Sequence, residues 1–186
     1  MGCLDCTRIA ICRPGGENAN QRSVYSGHKR IHCLMYQTIT TPDGLIYSLY
    51  GPEVGRRHDL TLYTDSGWDD KLKQYLVIDG IQYYIYSDAA FVRTPYLLIS
   101  FKTEFCTGHE SMFNFIMSGL RVSVEWNYKD LKQLWCRNDF PRMLKVRQLP
   151  VGMLYKASAL LMNMRTCLYR GGGVARYFSC PKPSLQ

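Results

Sequence analysis

The stretch Ile31-His32-Cys33-Leu34-Met35-Tyr36-Gln37-Thr38-Ile39-Thr40, with Thr41-Pro42-Asp43-Gly44 and Leu45-Ile46-Tyr47-Ser48-Leu49-Tyr50 behind it, decides the fold. Two runs rich in β-branched and aromatic residues flank a Pro-Asp-Gly turn, which reads as an antiparallel hairpin with strands over 31–40 and 45–50. Gly51-Pro52 is expected to end it. Upstream, Thr7, Ile9 and Ile11 alternate with Cys6, Arg8 and Ala10, which predicts a strand over 4–12. Pro14-Gly15-Gly16 stops that strand, and a polar loop is expected through Arg22. Downstream the pattern changes to short helices over 59–63 and 68–75, short strands over 83–87 and 96–101, and a long helix over 110–135. In that helix Phe113, Ile116, Met117, Leu120, Val124, Tyr128 and Leu131 recur at helical spacing and define a face to be buried. Residues 151–169 are apolar nearly all round, which predicts a buried helix. The triplet Gly171-Gly172-Gly173 is expected to end it, with Pro181 and Pro183 marking a frayed tail. Strands first, then helices interleaved with short strands, predict an α/β domain whose mixed sheet is covered on both sides.

The bulk numbers agree with one folded domain. The chain has 186 residues, 46% hydrophobic and 20% charged, with 14 tyrosines, so a sizeable core needs no covalent staples. Disorder is not the expected reading of that profile. The formal charge of +8 suits a polyanionic partner, because each phosphate neutralised releases condensed counterions. Eight cysteines are scattered through the chain and no signal peptide precedes them, which predicts a reducing compartment and mostly buried free thiols. The longest apolar stretch, 157–164, is broken by Asn163 and is too short to span a bilayer, so no membrane partner is expected.

Phosphodiester cleavage by two metal ions requires several carboxylates converging on cations about 3.5–4 Å apart. Hard cations such as Mg²⁺ take oxygen ligands. Three acids stand where such a site could form. Asp5 lies within the first strand, on the same side as Thr7 and Ile9, where an uncompensated carboxylate is costly to bury. Asp88 ends the strand over 83–87. Glu125 lies on the long helix, and counting back from it by four, three and four gives Arg121, Ser118 and Asn114, a polar stripe beside the apolar one. Taken singly, an Asp at a strand end is commonly a cap, and a helical Glu beside Arg121 is commonly a surface pair.

Ten residues from Gln21 to Arg30, Gln-Arg-Ser-Val-Tyr-Ser-Gly-His-Lys-Arg, add a family signal. With Thr41-Pro42-Asp43-Gly44-Leu45-Ile46 and Gly51-Pro52-Glu53-Val54-Gly55-Arg56-Arg57-His58-Asp59, they resemble the catalytic domain of Harbinger-type transposases, the DDE superfamily endonucleases. Leu4-Asp5-Cys6-Thr7, Tyr86-Ser87-Asp88-Ala89-Ala90-Phe91, Pro95-Tyr96-Leu97-Leu98, Phe113-Asn114 and Val122-Ser123-Val124-Glu125-Trp126 continue the likeness in order along nearly the whole chain. The resemblance implies a ribonuclease-H-like fold, a mixed five-stranded sheet flanked by helices, and a metal-dependent endonuclease of transposase type. It implies Asp5, Asp88 and Glu125 as catalytic ligands of Mg²⁺ or Mn²⁺, with Asp59 a fourth acid acting as direct ligand or outer anchor. Lys29, Arg30, Arg56, Arg57 and Arg121 become candidate contacts to DNA phosphates, and His58, Asn114 and Ser118 supporting residues. DNA is the implied partner and the nucleus the implied location. A separate DNA-binding accessory protein and an oligomer are both compatible with it. Residues 1–170 then read as the catalytic domain, cut short at its N-terminal side, and 171–186 as a flexible tail.

Departures from the family pattern are Ser87, Ala89 and Phe91 around the second acid, and Asn127, Tyr128 and Lys129 after the third, where Lys129 is placed to pair with Glu125 one turn away. A second reading therefore keeps the nuclease fold as a DNA- or protein-binding module without chemistry. Zinc-like spacings, Cys3 with Cys6 and His28 with His32, are too far apart for a finger. His58-Asp59 lack a nucleophile elbow.

Overall fold

A computed structural model describes residues 2–16, 18–102, 104, 106–169 and 172–184. Strand β1 spans Gly2–Ala10, helix α1 Asn18–Ser23, and strands β2, β3 and β4 Tyr25–Ser26, Ile31–Thr40 and Ile46–Val54. Helices α2 (Asp59–Ser66) and α3 (Trp68–Tyr75) follow, then the small hairpin β5 (Val77–Ile78) and β6 (Ile81–Gln82). Strands β7 (Ile85–Ser87) and β8 (Leu97–Ile99) precede the long helix α4 (Gly108–Leu134), and helices α5 (Val151–Leu168) and α6 (Gly173–Tyr177) end the fold.

The main strands lie in the order β4-β3-β1-β7-β8, with the two-residue β2 also pairing to β3. β3 runs antiparallel to β1 and β4, whereas β7 runs parallel to β1 and β8 parallel to β7. This curled mixed sheet with helices on its faces is compatible with the ribonuclease-H-like fold implied by the resemblance. Residues 33–40 of β3 are buried without alternation, as expected of a central strand covered on both faces. Side-chain alternation divides the core into two. Ile9, Leu34, Tyr36 and Ile46 point to one face and pack against Leu131, Tyr155, Ala159 and Met162 of α4 and α5. Leu4, Ile39, Ile85 and Leu97 point to the other and pack against Tyr63, Trp68 and Leu72 of α2 and α3.

Several sequence expectations are corrected. The hairpin does not end at Gly51-Pro52. β4 continues to Val54 because the register shifts between Met35 and Gln37, leaving room for two residues that do not pair, and the Gly51-Pro52 bond is cis. Gly51 has φ 124°, and a Cβ there would stand 2.7 Å from the Met35 carbonyl oxygen, so only glycine fits. The strand expected over 4–12 starts and ends two residues earlier, and part of the expected loop is the helix α1. The face expected on α4 is buried at Met117, Val124 and Leu131, but Ile116 is 51% exposed. Helix α5 is not buried all round: Met153 and Leu160 are exposed, and the sheet covers only the side carrying Tyr155, Ala159 and Met162. In the segment expected as a tail, Val174 and Ala175 are buried in α6 and Tyr177 packs edge-on against Trp126. Gly171 lies outside the described residues. All eight cysteines are free, but only Cys3, Cys33 and Cys167 are fully buried. No helix is long and apolar enough to cross a membrane.

Candidate active site

β1 and β7 set the floor of the site. Their parallel register pairs Cys3 with Tyr86, and the same offset carried two residues on brings Asp5 alongside Asp88, where β7 has ended. On its other flank Asp5 is paired with Thr38 of β3. By strand alternation Asp5 shares the face of Ile9, which α4 covers. Thr107 and Glu110 start α4 with a reciprocal capping box. Further along, Tyr128 hydrogen-bonds the Thr38 hydroxyl, pinning the helix over the sheet one turn beyond Glu125.

A cleft of about 730 Å³ opens here, with Asp5, Asp59 and Asp88 in its wall beside Arg8, Lys29 and His58. Asp5 is the innermost acid. Burial pushes its carboxyl up to about 6; the amide of Cys6 and the guanidinium of Arg121 pull against this, while the charges of Asp88 and Glu125 add to it. Asp5 therefore senses the charge of the other two acids implied as catalytic. Asp88 uses one carboxylate oxygen to accept from the Ala90 amide at 2.9 Å, a local turn that holds the side chain at the end of β7. Glu125 is the most exposed, 57% at its side chain, and stands 3.9 Å from Arg121. The same Arg121 reaches Asp5 at 3.7 Å. Lys129, expected to pair with Glu125, forms no ion pair with it among the described residues; Arg121 does so from the preceding turn.

Asp59 opens α2 just after His58, and its carboxylate accepts from Arg8 at 2.8 Å. Arg8 and Asp59 thus tie α2 to β1. Of the basic candidates, Lys29 lines the cleft, Arg30 is exposed at φ 55°, and Arg56 is exposed beside Arg22 and Tyr25. Arg57 is engaged by Glu53 at 3.4 Å and by Asp65. Asn114 lies away from the acids. Its amide brackets the backbone of Phe101, accepting at 2.8 Å and donating at 3.0 Å. Ser118 faces the Tyr86 hydroxyl.

Among the described residues no group of three or more His, Cys, Asp or Glu side chains stands close enough to hold a metal ion. The donor chemistry nevertheless fits a hard divalent cation. Asp5, on β1, and Asp88, just past the end of the adjacent β7, are oxygen donors, and burial disfavours the charge of Asp5 that a bound cation would offset.

A family model described as DDE superfamily endonuclease matches residues 4–161. The chain belongs to that family. No curated protein and no solved structure matches it. The family is one of transposase-type nucleases, which implies DNA as the substrate.

Three residues that help to position these acids escape a reading of the sequence: Arg8, Thr38 and Tyr128. Arg8 carries a faint signal, a charge inside an apolar strand that must find a partner. Thr38 and Tyr128 carry none, because both read as ordinary core residues.

Proposed function

We propose that this endonuclease cuts DNA phosphodiester bonds with Asp5, Asp88 and Glu125 as ligands of Mg²⁺ or Mn²⁺, and that it is of the Harbinger type. The observation that carries the reading is the meeting of Asp5 and Asp88 at the open end of β7, with Glu125 brought near by α4. Divalent ions bound there would supply activation of a water, or of a DNA 3′-hydroxyl for strand transfer, and stabilisation of the leaving oxygen. The chain's own residues do the rest. Lys29, which lines the cleft, would take DNA phosphates together with the exposed Arg30 and Arg56. Arg57, held between Glu53 and Asp65, serves the loop before α2 as much as DNA. Asp59 acts as an outer anchor, because its carboxylate is taken by Arg8, and His58 sits beside it at the cleft wall. The motif strings that carry the Harbinger likeness also support nuclear action and a separate DNA-binding partner.

The test is nicking of supercoiled plasmid with Mg²⁺ or Mn²⁺. The wild-type chain is expected to nick, and Asp88→Asn to lose at least about a hundredfold, since one ligand of a charged transition state is worth several kcal/mol. Equal nicking by both proteins would remove the catalytic assignment. Retarded DNA migration by both without nicking would favour the binding-module reading.

A further inference from the structure

Arg121 is the one residue that reaches two of the three acids assigned to the metal. From α4 its guanidinium stands 3.7 Å from Asp5 on β1 and 3.9 Å from Glu125 on its own helix. Both separations exceed the roughly 2.7–2.9 Å of a committed charge-assisted hydrogen bond. The guanidinium is therefore held by charge between two carboxylates and not locked to either by its fork. Its side chain is 28% exposed and that of Glu125 57%, so both can turn toward solvent without disturbing the core. Arg8, a cation of the neighbouring cleft wall, is taken by Asp59. Arg121 is thus the cation paired with both Asp5 and Glu125 among the described residues.

We infer that Arg121 is a placeholder cation: it spans Asp5 and Glu125 in the metal-free protein and leaves them when a divalent ion binds. This rests on the metal-site reading above and goes beyond it. Seating a metal requires breaking the bridge, which couples metal loading to release of a guanidinium beside Asp5 and Glu125. Once released, Arg121 is free to meet a DNA phosphate, so DNA and metal would each favour binding of the other. The charge argument fixes the sign. A unit positive charge a few ångströms from a cation site opposes a divalent ion, and removing it favours the ion.

Titration of the full chain with Mn²⁺ at pH 8, reading free aqua-Mn²⁺ by electron paramagnetic resonance, tests this without recourse to nicking. Arg121→Gln is expected to bind Mn²⁺ about three- to tenfold more tightly than wild type. Arg121→Lys, which keeps the charge, should stay closer to wild type than to the Gln variant. Equal or weaker binding by Arg121→Gln, with wild type still binding, overturns the placeholder role and leaves the metal site standing. Equal tightening by Lys and Gln also overturns it, since charge would not be the cause. Absence of saturable binding in wild type and Arg121→Gln alike, matching Asp88→Asn, overturns the metal site itself and the placeholder with it.

Discussion

Asp5 shows most directly how one residue records the demands of the site. Its carboxyl is raised to about 6 in the folded chain, chiefly by burial, against about 3.9 when unfolded. Between those values the folded state holds a proton that the unfolded state has released, so stability falls as pH rises through this window. Above pH 6 the cost is fully present, on the order of 3 kcal/mol. Urea unfolding of metal-free wild type and Asp5→Asn at pH 4 and pH 7.5 checks this: the Asn variant should gain relative to wild type on going to the higher pH. A difference that stays constant with pH would show that Asp5 titrates normally. The wider lesson is that Asp5 is unfavourable for the fold, and an acid retained at such a cost in a central strand points to use.

At the scale of elements, the decisive joint is α4 against the β1–β3 pair. Tyr128 and Thr38 form that joint, and Thr38 is fully buried. Tyr128→Phe keeps the ring but leaves the Thr38 hydroxyl without a partner, with an expected loss of about 1–2 kcal/mol in urea unfolding. Because Glu125 lies one turn away, the same substitution should also weaken Mn²⁺ binding severalfold. Unchanged stability would mean that a neighbouring group, or water, satisfies Thr38. A second joint is α5 against β4. Asn163, the polar residue that interrupts the apolar stretch, uses both ends of its amide on Ile46: Oδ1 accepts from the backbone amide and Nδ2 donates to the carbonyl, each at 2.9 Å. Its side chain serves as an edge strand would. Asn163→Leu, though more apolar, is expected to destabilise by about 1–3 kcal/mol because two backbone groups lose their partners. A neutral result in thermal unfolding would show that water replaces the amide.

For the whole molecule, the +8 charge and the cleft between β7 and α2 belong to one account. Lys29, Arg30 and Arg56 are exposed on the side of the cleft formed by the segment between α1 and β3 and the loop before α2. DNA binding should therefore fall steeply with salt, log Kobs declining about 0.9 for each phosphate contacted. Replacing Lys29, Arg30 and Arg56 together by Gln should shrink that slope by about 2–3, measured by fluorescence anisotropy on duplex DNA. A slope unmoved by the triple change would place the DNA path elsewhere, with the exposed apolar side of α5 then free for other contacts.

Much of this architecture is legible in the sequence. The hairpin around Pro42-Asp43-Gly44, the long helix through Glu125 and the class of the fold follow from local periodicity and turn chemistry, which act over a few residues and so are written in order along the chain. The bulged continuation of β4, the half-covered α5 and the docked α6 are not, because each depends on what lies opposite in space. The acids could be named from motif strings, but their grouping could not be derived from spacing. Asp5 meets Asp88 only through the β1–β7 register, and Arg121 comes between Asp5 and Glu125 only because α4 crosses β1 at that turn. Local order writes the elements; the free energy of packing them decides which distant charges must face one another.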